Sequence, residues 1–88
     1  MHEVLRQRFE EESSQVYQNL QSRVIECRTE LSEVQNSRQA VRLCRKWSDV
    51  ADGMDTASRA TQSQNHRLML GEMARQVRHL VRESSARC

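Results

Sequence analysis

Apolar residues recur every three or four positions between residues 17 and 41, and this spacing restricts the chain to helices with a narrow apolar face. In a heptad frame, seven of the eight a and d positions here are apolar: Tyr17, Leu20, Val24, Cys27, Leu31, Val34 and Val41. The exception, Arg38, falls at an a position, where a charge often sets register or partner choice. The pattern predicts a coiled-coil seam with Arg38 selecting its register.

The stripe continues through Cys44 and Trp47, and the chain has no proline to force a break. We therefore expect one long helix over about residues 2–51, then a turn at about 52–55. Gly53 suits the left-handed position that ends many helices, and Asp55 suits the cap of the next one. The alternative is a break at residues 36–37, with Ser37 as the cap, which gives three helices and a shorter first arm. The first arrangement is favoured.

A second helical region is expected over about residues 56–84, followed by a frayed tail at 85–88. Its apolar face consists of Met69, Met73, Val77 and Leu80. Residues 57–67 are open between helix and loop, because their side chains are small or polar. The 88 residues form a single helical module with one Trp, one Tyr and one Phe. Such a core is small, which predicts an all-α, elongated helical hairpin or coiled coil that is oligomeric or partner-dependent.

Charged residues are segregated along the chain. Residues 34–48 carry four bases and no acid, whereas residues 1–33 carry seven acids and four bases. A hairpin would bring acidic and basic regions together, although exposed pairs contribute little. The arginines that form candidate anion contacts lie on two helical stripes: Arg42, Arg45, Arg75, Arg78 and Arg82. A solvated helix face is the simpler interpretation of these stripes.

The sequence contains no constellation typical of catalysis. No histidines stand three or four apart, no cysteines stand two apart, and Asp49, Asp52 and Asp55 do not have the spacing of a calcium loop. We therefore expect no enzyme activity, cofactor or metal. No apolar run is long enough for a membrane span, and residues 1–12 do not resemble a secretory signal. Three widely spaced cysteines favour a reducing, intracellular setting, most simply the cytoplasm.

These observations favour a non-enzymatic coiled-coil scaffolding subunit that self-associates or assembles a multiprotein complex through the seam. The second hypothesis is a small adaptor or chaperone that sequesters an amphipathic helix of a client, using Met54, Met69 and Met73 as an adaptable surface. The third is a binder of nucleic acid or an anionic surface through the arginine stripes. Protein partners are expected in the first two, and nucleic acid only in the third.

Overall fold

Three α-helices account for nearly all of the computed structural model, which describes the backbone of residues 2–87 and the side chains of residues 15–86. Helix α1 is His2–Ser32, α2 is Ser37–Ala60 and α3 is Gln64–Arg87. There is no strand over residues 2–87, so the predicted all-α class is confirmed. The elongated molecule measures 56 × 22 × 14 Å.

The first break in the helical backbone lies at residues 33–36. Asn36 has an extended backbone, and its side-chain oxygen accepts a hydrogen bond from the Gln39 amide at 2.8 Å. The Gln39 side chain in turn accepts from the Gln35 amide at 3.1 Å, which makes a reciprocal cap. The predicted single helix over 2–51 is thus corrected to two helices. The alternative break was placed well, but Asn36 is the cap and not Ser37.

The second break lies at residues 61–63, and helix α2 runs through the predicted turn at 52–55. Gly53 has no positive φ, so it does not adopt the left-handed conformation that would end a helix there. The cap of α3 is Ser63, whose hydroxyl accepts from the His66 amide at 3.4 Å. Within the open range 57–67, the first four and last four residues are helical. Residues 85–87 belong to α3 and are not the frayed tail expected at 85–88, and Cys88 lies outside the described residues.

One apolar core is shared by all three helices. Its buried members are Val24, Cys27 and Leu31 of α1, Trp47, Ala51 and Met54 of α2, and Met73, Ala74 and Val77 of α3. Trp47 and Val77 are fully buried, and the small side chains of Ala51 and Ala74 let helix backbones approach closely. The core is therefore formed within one chain.

The helices run up, down and up, so α1 and α3 are parallel. Near one end of the pair, the thiol of Cys44 in α2 lies 3.9 Å from the Val81 carbonyl of α3. Near the other end, the Ser58 hydroxyl donates to the Arg67 carbonyl at 2.9 Å. Helices α2 and α3 share the largest interface, and α1 packs mainly on α3 and little on α2. The weakest of the three interfaces is thus that between α1 and α2.

Candidate functional site

The central part of the predicted seam is already occupied within the chain. Val24 and Leu31 are buried, and Cys27 is fully buried. The pKa of the Cys27 thiol is raised from 9.0 to about 11, mainly by burial and to a smaller extent by the negative charge of Glu30. These three positions form the interior of the three-helix unit and offer no surface to a partner.

The seam is uncovered at both of its ends. Tyr17 is 43% exposed and Leu20 is half-buried at one end, and Val41 is 62% exposed beyond the other. Val34 is half-buried in the connection between α1 and α2. Arg38 is exposed in the first turn of α2, so its predicted place in a buried seam is corrected. The heptad frame does not cross residues 33–36, because the helix itself ends there.

Trp47 anchors α2 to α1 through a polar contact at the edge of the core. Its buried indole N–H donates to a carboxylate oxygen of Glu30 at 2.7 Å. The Lys46 ammonium donates to both oxygens of Glu30, at 2.9 and 3.1 Å, and lies 5.0 Å from the Trp47 ring centroid. The Lys46 hydrogen bond, aided by that of Trp47, lowers the pKa of Glu30. Trp47 is thus an anchor inside this chain, and Cys44 beside it is half-buried.

The predicted face of the second helix is largely interior. Met73 and Val77 are buried, and Met69 and Leu80 are half-buried. Met54 is buried as well. The methionines therefore do not form the exposed, adaptable surface on which the adaptor hypothesis drew, because two of the three fill the core.

The two arginine stripes differ in what their members contact. The Arg78 guanidinium bonds Asp52 at 2.9 Å and also Asp55, and these hydrogen bonds, first that with Asp52, raise its pKa. Arg75 pairs with Glu72 on its own helix at 2.7 Å. Arg42, Arg45 and Arg82 are exposed and make no ion pair within the part of the chain whose side chains are described. Arg78 thus ties α2 to α3.

Three exposed hydrophobic residues, of which the heptad pattern includes only Tyr17, lie on the two helices that line a groove between α1 and α3. Arg28 of α1 lines this groove together with Glu72, Arg75, Gln76, His79 and Leu80 of α3. Ile25, 57% exposed, lies one turn before Arg28, and Leu68, 63% exposed, lies one turn before Glu72. Tyr17 lies about three turns before Arg28 on the same side of α1. We call Tyr17, Ile25 and Leu68 the α1/α3 surface.

Among the described side chains, no three His, Cys, Asp or Glu residues converge into a group able to hold a metal ion. No helix in the described part is long and apolar enough to cross a bilayer. Comparisons with protein families, with curated proteins and with solved structures find no match to this chain. The geometry of the described surfaces is thus the basis for a functional proposal.

Proposed function

We propose that this chain is a non-enzymatic helical assembly subunit that self-associates through the α1/α3 surface. The observation that carries the proposal is that, among residues 15–86, three of the four exposed large hydrophobic residues, Tyr17, Ile25 and Leu68, lie on α1 and α3, the two parallel helices that line this groove. Such a groove accepts the ridge of a further helix, which is how helical bundles grow. A second copy supplies that helix, with the same surface used by both protomers.

The expected association is weak. Full burial of a Leu or Ile side chain contributes about 1.5–3 kcal/mol, so covering the exposed half of Ile25 or Leu68 contributes about 1–1.5 kcal/mol. A symmetric dimer covers two copies of each, which gives about 4–6 kcal/mol before Tyr17 is included. A micromolar dimer needs about 8 kcal/mol. The 4–6 kcal/mol corresponds to a dimer dissociation constant between roughly 1 mM and 40 μM, and burial of Tyr17 lowers this constant further.

Sedimentation equilibrium at protein concentrations of about 10–500 μM tests the proposal, because the association energy above predicts partial dimerisation in this range. The wild type should shift from monomer towards dimer, and the double variant Ile25→Gln/Leu68→Gln should remain monomeric across the range. Gln is a good helix former, so circular dichroism should show unchanged helicity. Val41→Gln removes an equally exposed side chain from a different surface and is the matched control. A wild type that stays monomeric at every concentration would overturn the proposal.

A further inference from the structure

A second apolar groove lies between α2 and α3, at the end of the molecule where α1 meets α2. It is lined by Ala40, Val41, Cys44 and Ser85 and has a volume of about 260 Å³. Val41 is 62% exposed at its edge, and Ala40 is buried at its base. Small-molecule sites usually span about 300–1,000 Å³ and enclose their ligand, so this open groove fits the side chains of a protein partner better.

Three arginines lie within one helical turn of residues that line this groove. On α2, Arg38 lies one turn before Val41 and Arg45 lies one turn after it, on the same side of the helix. On α3, Arg82 lies one turn before Ser85. All three are exposed. We call Arg38, Arg45 and Arg82 the rim arginines.

The rim arginines differ from the paired bases of the molecule. Lys46 and Arg78 each bond a carboxylate of a neighbouring helix, whereas no rim arginine has an ion pair among residues 15–86. Asp49, one turn beyond Arg45, is an acid within reach, but the two form no ion pair. Arg38 also lies in the first turn of α2, where the helix dipole disfavours a cation. An anionic group placed here would relieve an unfavourable concentration of positive charge.

We propose that this groove binds an acidic amphipathic helix of another protein. An apolar side chain of that helix would pack on Val41 and Cys44, and carboxylates one turn to either side would pair with the rim arginines. A nucleic acid would satisfy the arginines but leave the apolar floor uncovered. Trp47, the aromatic side chain closest to them in sequence, is fully buried and offers no stacking surface for a base.

Fluorescence anisotropy with labelled synthetic peptides tests this proposal. The probe is an amphipathic helical peptide with Leu every three or four residues and Glu at the flanking positions. Titrations use low micromolar protein at about 150 mM salt, where exposed charges more than about 8 Å apart are screened. Val41→Gln and the double variant Arg45→Glu/Arg82→Glu should each weaken binding at least about tenfold, the equivalent of 1.4 kcal/mol. A peptide with Lys in place of Glu should bind the wild-type protein at least about tenfold more weakly than the acidic peptide does.

Arg28→Glu is the matched control, because Arg28 is exposed and has no ion pair among residues 15–86, but it lies on α1 and lines the other groove. It should change the affinity less than threefold. The Ile25→Gln/Leu68→Gln variant should bind the peptide like the wild type, which separates this groove from the α1/α3 surface. Equal weakening by Arg28→Glu would show general charge attraction and overturn the proposal. So would tight binding of duplex DNA that survives Val41→Gln.

Discussion

Replacement of Gly53 by alanine distinguishes the three-helix structure from a hairpin that turns at residues 52–55. Gly53 is exposed inside α2, has no positive φ, and a Cβ at this position meets no atom within 4 Å. Alanine is more favourable than glycine in a helix interior by about 0.5–1 kcal/mol. Gly53→Ala should therefore raise the free energy of unfolding by that amount. At a left-handed helix end, alanine would be strained and the sign would reverse.

The assay is urea unfolding followed by circular dichroism and by the fluorescence of Trp47, the single tryptophan. For a chain of this size a gain of 0.5–1 kcal/mol corresponds to an increase in Tm of about 2–8 °C. Gly71→Ala is the matched control, because Gly71 lies inside a helix in both arrangements and its added Cβ also meets nothing within 4 Å. A Gly53→Ala variant that is less stable than the wild type, beside a stabilised Gly71→Ala variant, would refute the reasoning.

Further predictions concern the edge of the core and the cysteines. Glu30→Met leaves the buried Trp47 indole without its acceptor, so urea unfolding should show it about 1–3 kcal/mol less stable than Glu30→Gln, and equal stabilities would contradict this. Because the pKa of Glu30 is lowered on folding, the stability that its carboxylate contributes is present above pH 4.5 and is lost as pH falls through the folded-state pKa. Below pH 4.5, the free energy of unfolding of Glu30→Gln should therefore depend less on pH than that of the wild type. The pKa of Cys27 is raised on folding, so the stability that the protonated thiol contributes is present below pH 9.0 and is lost as pH rises through about 11. The Cys27→Ala variant should not show this loss of stability. In a Cys88→Ser background at about pH 8, a thiol reagent should modify half-buried Cys44 well before Cys27, and equal rates would argue against the packing.

The apolar spacing of α1 allowed its helical state and inward side to be predicted from sequence. Val24, Cys27 and Leu31 are all buried, as a seam requires. The spacing did not reveal the break at 33–36, because Val34 within it and Val41 beyond it both fit the heptad frame. The competing signal was local: an asparagine cap with Gln39 three residues later. A period of three and a half residues reports which side is apolar but is insensitive to a short interruption.

The predicted turn at 52–55 shows the opposite error, in which a local signal was given too much weight. Gly53 and its flanking aspartates resemble a helix end, but Ala51 and Met54 lie on the buried side of one continuous helix. Asp52 and Asp55 instead bond Arg78. Tertiary packing here outweighs the roughly 1 kcal/mol that glycine costs in a helix. The partner of these aspartates lies on another helix and has no local sequence signal.

The candidate surfaces were predicted only in part. Tyr17 and Val41 belonged to the predicted seam, whereas Ile25 and Leu68 did not, because each stands outside its helix's main apolar stripe. Which arginines remain unpaired depends on the register between α2 and α3, and charge spacing along one helix does not determine that register. Sequence thus identified the types of side chain available for binding, and the arrangement of three helices determines which of them reach the surface.

The short connection at residues 33–36 joins α1 to α2. Helix α1 packs less extensively on α2 and α3 than these two helices pack on each other. Detachment of α1 disrupts less packing than separation of α2 from α3, so we expect amide hydrogen exchange by sub-global opening to begin with α1. Detachment of α1 would remove Val24, Cys27 and Leu31 from the core and expose an apolar groove on α2 and α3 that fits the α1 helix of another molecule. Reciprocal exchange of first helices then requires only that the connection at residues 33–36 straighten, a low-barrier route to domain swapping.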